Sequence, residues 1–81
     1  MNKEIVNKIV KAAKANNVNF EINEQNLNKD LRELGLDSLS TIGIVVNIEN
    51  DLDIRIPDES LNKIKTANDL IKLIEECLSK K

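Results

Sequence analysis

Apolar residues recur at helical spacing in three stretches of this 81-residue chain, and none of the three shows the alternation a half-buried strand requires. In the first stretch Ile5, Val6, Ile9, Val10, Ala12 and Ala13 share one half of a wheel drawn at about 100° per residue. Lys3, Glu4, Lys8, Lys11 and Lys14 share the other half. The asparagines at 16 and 17 favour local backbone bonding and predict the end of that helix near Ala15 to Asn17. In the second stretch Leu39, Ile42, Ile44, Val45, Val46, Ile48 and Leu52 cover well over half of the wheel. Ser40, Gly43, Asn47, Asn50 and Asp51 are left as a narrow polar strip. In the third, Leu70, Ile71, Leu73, Ile74, Cys77 and Leu78 face away from Asn68, Lys72, Glu75, Glu76 and Ser79. Thr66 is the expected N-cap of that last helix, with Asp69 completing a capping box. Asp37 is the expected N-cap of the second helix, its carboxylate sitting at the positive end of the dipole.

Between the first two helices lies a polar connection from Asn17 to about Asp37 with no sustained period, although Asn28 to Leu34 could form a helical turn. A structureless stretch of this length is uncommon in compact domains. It is therefore expected to be pinned by Phe20, Ile22, Leu27, Leu31, Leu34 and Leu36 and to be tied to function. Residues 53–60 read as a second loop, in which Pro57 removes a backbone donor, and a short turn is expected at Leu61 to Ile64. The predicted fold is all-α: a small four-helix bundle, three main helices plus a short third one, with a long loop between the first and second helices, in a single domain over residues 1–81.

Size and composition remove several function classes. A chain this short buries only about 60% of the surface its unfolded form exposes, which leaves little room for a deep active site. The sequence has no His, so Ser-His and Cys-His nucleophile pairs and His-containing zinc sites cannot be built. No metal site is expected. The single cysteine, Cys77, cannot form an internal disulfide and falls on the apolar arc of the last helix, where it reads as a small hydrophobe. That cysteine usage points to the cytoplasm. The longest apolar run, Ile42 to Val46, is far below the ~20 residues a membrane-spanning helix needs. No apolar segment follows the N-terminus as a signal peptide would require.

The charge is segregated. Residues 1–14 carry four Lys against one Glu and residues 61–81 five Lys against three acids, whereas residues 15–60 carry three basic side chains against ten acidic ones. Cationic partners are therefore expected to approach the middle of the chain. The lysines of the first helix lack interleaved aromatics or Arg and read as a solvated face, not a nucleic-acid site. The wide apolar arc of the second helix has two readings. Leu39 and Val46 form a surface for another protein, or the helix is central and covered on several sides.

The segment Leu31-Arg-Glu-Leu-Gly-Leu-Asp-Ser-Leu39 resembles the acyl carrier protein family, whose signature is Asp-Ser-Leu at the start of the second helix after a Leu-Gly turn. Ile54-Arg-Ile-Pro-Asp-Glu59 is similar to the family's hydrophobic-Pro-Asp-Glu stretch, and Thr66-Ala-Asn-Asp-Leu-Ile71 to the opening of its final helix. With these three landmarks in order, the resemblance covers roughly residues 3 to 78. The resemblance implies that Ser38 receives 4'-phosphopantetheine from coenzyme A and that the new thiol carries acyl groups as thioesters between enzymes. It implies a phosphopantetheinyl transferase as a partner, since the chain offers no base to activate Ser38. The other partners it implies are acyl-loading and acyl-processing enzymes with basic docking surfaces. Asp37, Leu39, Ile42, Val46, Glu49 and Ile56 are carried over as partner contacts. A monomer without catalysis of its own is expected, in fatty-acid, polyketide or related biosynthesis.

Ser40 and Gly43 stand where fatty-acid carriers usually place acids, which opens specialised pathways, including an aminoacyl or peptidyl carrier. The Gly-Leu-Asp-Ser order fits the acyl branch better. Taken alone, Ser38 also reads as a helix-start serine assisting the cap, and Gly43 either keeps the polar strip bare or is simply tolerated. The rival to a carrier is an interaction module of the same fold that never bears the arm.

Overall fold

A computed structural model describes residues 2–19 and 21–80. Phe20, expected among the loop pins, lies outside the described residues. Among those described there are four helices, α1 (Lys3–Ala15), α2 (Ser38–Leu52), α3 (Asp58–Leu61) and α4 (Ala67–Ser79), and the only β feature is an isolated bridge between Asp30 and Thr66. The all-α bundle with a long first loop is therefore the fold observed.

Each long helix begins and ends on side chains suited to the task. The Asn2 side chain accepts the Glu4 and Ile5 N–H groups at 3.1 and 3.3 Å. At the other end of α1, Asn17 takes the left-handed conformation at φ 62°, while Asn17 N–H bonds to Lys14 and Val18 N–H to Ala13. These two bonds are the Schellman pattern, with Asn in the place of the more usual Gly. Helix α2 closes in a similar way on Asp53 at φ 53°, with Ile54 N–H reaching the Glu49 carbonyl at 3.1 Å. Thr66 and Asp69 form the expected reciprocal capping box on α4.

The helices pack through branched aliphatic side chains. Ile9 of α1, Ile44, Val45 and Ile48 of α2 and Leu70 and Ile74 of α4 are fully buried, and among the described residues no polar side chain is buried. Burying one such aliphatic side chain contributes about 1.5–3 kcal/mol. The long loop is held by more than its apolar pins Ile22, Leu31 and Leu36. Leu31 N–H donates to the Lys65 carbonyl at 2.8 Å and Asn68 N–H to the Leu27 carbonyl at 3.0 Å, on either side of the Asp30–Thr66 bridge. This seam fastens residues 27–31 to the start of α4. Gly35, at φ 94°, then turns the chain toward α2 in a conformation open to few residues other than glycine.

Three local expectations change. The short helix occupies Asp58–Leu61, not Leu61 to Ile64, because Pro57, extended at ψ 139° with its φ already at −61°, serves as the N-cap and two acids fill the first turn. Ile56, carried over as a partner contact, is only 4% exposed and belongs to the core. Gly43 is not a bare surface position: a Cβ there would stand 2.9 Å from Asn16 Cγ. The C-cap of α1 lies directly on this point of α2, and the Asn16 side chain is held there by donating to the Ala12 carbonyl at 2.9 Å.

Gly43→Ala therefore should not gain the ~1 kcal/mol that Ala has over Gly in a helix. In a double-mutant cycle with Asn16→Ala, denaturant unfolding is expected to show a coupling on the order of 0.5–3 kcal/mol, with the double variant more stable than the sum predicts. Additivity would show that the close approach carries no energy.

Candidate functional site

Ser38 is the first residue of α2 and is exposed. Its hydroxyl makes no hydrogen bond among the described residues. The cap is made by its neighbour instead: Asp37 Oδ1 accepts the Ser40 N–H at 2.7 Å, while the Asp37 carbonyl accepts Thr41 Oγ1 at 2.8 Å and Thr41 N–H at 3.0 Å. Ser38 is thus not needed for capping. The N–H of Ser40, reinforced by its hydroxyl, holds the Asp37 carboxyl below the usual carboxylate value. A carboxylate stabilised in this way is a weak base, and the chain contains no His. Nothing local activates Ser38.

Beside Ser38 opens a groove of about 850 Å³, bordered by Thr41 and Ile42 of α2, Leu61 of α3 and the two segments that meet at the seam, which contribute Asp30, Arg32 and Lys65. Leu39, Ile42 and Val46, spaced by three and four residues, form an exposed apolar stripe along α2, with exposures of 81%, 47% and 47%. This stripe corresponds to the reading of α2 as a surface. The helix is nevertheless also central, since its opposite side supplies Ile44, Val45 and Ile48 to the core.

The acids of α2 are less available than their number suggests. Half-buried Glu49 accepts the Ile56 N–H through Oε2 at 2.9 Å, so the two residues are joined to each other, with the Ile56 side chain in the core. Asp51 Oδ2 pairs with Lys8 Nζ of α1 at 2.9 Å, and that ammonium keeps its carboxyl below the ordinary range. Asp58 and Glu59 of α3 remain exposed. Cys77 is half-buried against the core, and burial, with Glu76 beside it, pushes its thiol up. It is a poor thiolate.

The sequence showed Asp37, Ser38 and the stripe. It did not show Arg32, Thr41, Leu61 and Lys65, because the groove they line forms only when separate segments meet.

An exposed, unpartnered hydroxyl at a helix start suits a bulky phosphate ester, since the orphan N–H groups and the dipole there favour negative charge. The adjoining groove has the volume of a small-molecule site. Residues 5–74 match the family described as "Phosphopantetheine attachment site", and the chain belongs to this acyl carrier family, whose members are carriers, not enzymes, and whose cofactor is 4'-phosphopantetheine. Among its relatives, the "Acyl carrier protein homolog" of Mycoplasma genitalium is 41% identical over 78 residues, covering 96% of this chain and 93% of that one. The "Acyl carrier protein homolog" of Ureaplasma parvum is 43% identical over 70 residues, covering 86% and 88%. The crystal structure of an acyl carrier protein from Thermotoga maritima aligns with a TM-score of 0.84 at 29% identity, covering 96% and 91%. The hexanoyl carrier of the actinorhodin polyketide synthase from Streptomyces coelicolor aligns with a TM-score of 0.73 at 18% identity, covering 99% and 92%, a likeness of fold alone. Among the described residues no helix is long and apolar enough to cross a membrane.

The cap makes a pH prediction. Because the folded-state value of Asp37 is depressed, its contribution is complete above the unfolded value near 3.8 and is lost as pH falls through the lower folded one. The Ser40 amide resonance should titrate with a midpoint below 3.8. Asp37→Asn, which keeps a capping acceptor, should abolish that titration while leaving α2 formed at neutral pH. A midpoint at or above the ordinary value would contradict the observed cap.

Proposed function

We propose that this chain is a single acyl carrier domain loaded at Ser38, carrying acyl intermediates between enzymes of fatty-acid, polyketide or related biosynthesis. The observation that carries the reading is the Ser38 hydroxyl: exposed, at the first turn of α2, without a hydrogen-bond partner among the described residues, and within the region that matches the family. In the loading step Ser38 Oγ forms a bond to the phosphorus of the coenzyme A pantetheine phosphate. The pyrophosphate P–O bond breaks, 3',5'-adenosine bisphosphate leaves, and the hydroxyl proton passes to a base of the transferase. Once attached, the group supplies a terminal thiol that takes acyl cargo as a thioester.

The chain's own residues orient this event. Asp37 fixes the first turn of α2 and therefore the direction of Ser38. Leu39, Ile42 and Val46 give the transferase and the acyl-handling enzymes an apolar contact beside the reacting hydroxyl. Asp58 and Glu59 remain exposed to attract basic docking surfaces; Glu49 and Ile56 support the patch from beneath. The protein acts as a monomer, and in the cytoplasm, the compartment that its single cysteine suits.

Incubation with coenzyme A, Mg²⁺ and a promiscuous phosphopantetheinyl transferase should add one phosphopantetheine unit to the intact mass, and none to Ser38→Ala. Leu39→Ala should keep the fold, since that side chain lies outside the core, yet lower the transferase kcat/KM by roughly tenfold, the loss of one contact of about 1.4 kcal/mol. Absence of any gain in a folded, unmodified protein would overturn the carrier reading in favour of an interaction module.

A further inference from the structure

The capping box of α4 holds more than its own helix. Asp69 Oδ2 accepts the Thr66 N–H at 3.2 Å, the reciprocal half of the box. The same oxygen also accepts the N–H of Lys65, one residue before the cap, at 3.2 Å. Lys65 belongs to the seam, where its carbonyl accepts the Leu31 N–H at 2.8 Å. The Leu31 carbonyl in turn accepts the N–H groups of Leu34 and Leu36 at 3.1 and 3.0 Å. Leu36 directly precedes Asp37, the N-cap of α2, and Ser38 follows. An unbroken path of hydrogen bonds and peptide units thus runs from one carboxylate on α4 to the turn that delivers Ser38. Leu31 and Leu36 are both buried in the close-packed core, so a shift at Lys65 is passed to the turn instead of being absorbed along the way.

We propose that Asp69 is a positioning residue for Ser38: by clamping Lys65 as well as Thr66, its carboxylate holds the 31–36 turn where it presents the Ser38 hydroxyl. This rests on the loading of Ser38 proposed above. Among the described residues the Asp69 carboxylate bonds only to Lys65 and Thr66, so it acts through the seam and takes no part in forming the phosphate ester. Its loss frees the Lys65 N–H and loosens the turn. The Asn68 to Leu27 bond and the Asp30–Thr66 bridge still join the two segments, so the chain folds without it. A loop held by a few backbone bonds lies at the low end of local stability, and the loss of one cap takes it from mostly seated to seated in a minority of molecules. A transferase that binds only the seated form then binds less tightly in proportion, while the chemical step is unchanged. The expected mark is a rise in KM with kcat preserved.

The test has two arms, amide hydrogen exchange in the unloaded chain and transferase kinetics followed by the gain in mass. Both compare the native sequence with Asp69→Ala, Asp69→Asn and Asn2→Ala. The last removes the cap of α1, outside this path, and controls for a general loss of stability. In Asp69→Ala the Leu31 and Leu36 amides should exchange roughly fivefold faster or more, beyond any change at Ile9 and Ile48. Transferase KM should rise roughly two- to fourfold with kcat unchanged. Asp69→Asn, which keeps an acceptor oxygen in the same place, should stay near the native values in both arms, and Asn2→Ala should keep the native KM. Equal acceleration at Leu31, Leu36, Ile9 and Ile48 overturns the proposal. So does a KM that stays native in Asp69→Ala or rises as much in Asn2→Ala. If the native chain gains no mass, the carrier reading and the positioning role fall together, whereas the clamp on the turn stands or falls by the exchange arm.

Discussion

Among the described residues, the interior of this domain holds only aliphatic side chains. Ile9, Ile44, Val45, Ile48, Leu70 and Ile74 fill the space between α1, α2 and α4, and burying an unpaired polar group among them would cost several kcal/mol. Every polar function is therefore displaced to where helices begin or end, or to the loops between them. Backbone groups left over at helix starts are satisfied by the short polar side chains of Asn2, Asp37 and Thr66 with Asp69, and carbonyls at the ends of α1 and α2 by backbone N–H groups that the left-handed Asn17 and Asp53 bring round. The candidate site at Ser38 is one such boundary, with its hydroxyl left over among the described residues after the cap is complete.

Features that depend on neighbours in the chain were legible in the sequence. The three long helices, the two N-caps and the exposed stripe of α2 all follow from spacing of three or four residues and from capping chemistry. What escaped reading depends on contact between distant segments. Gly43 looked like an unfilled surface position until α1 was seen to set Asn16 against it. Ile56 was counted among the partner contacts by family resemblance alone; in the fold its side chain turns into the core while its N–H ties down Glu49. The short helix was misplaced by one turn because Pro57 was read as a breaker of structure, when a fixed φ also prepares a helix start.

Charge behaves in the same way. The sequence already showed the acids of the middle thinned on α2 by Ser40 and Gly43, and the structure thins them further, since Asp51 is paired with Lys8 and Glu49 is committed to a backbone N–H. The surface next to Ser38 is consequently apolar along α2, acidic on α3 and of both charges on the seam. Under the role proposed for Ser38, partners would meet distinct chemistries around the same hydroxyl, so that a change in one could alter recognition without touching the others.

The seam also sets an order of events during synthesis. The loop leading into α2 finds its backbone partners at Lys65, Thr66 and Asn68, which are made only after α2 and α3. A nascent chain can expose Ser38 while the segment that supports it is still unmoored, and contacts between such distant residues form late in any case. Under the role proposed for Ser38, an enzyme that requires a properly seated α2 would thereby distinguish finished chains from unfinished or truncated ones, without any dedicated element of quality control.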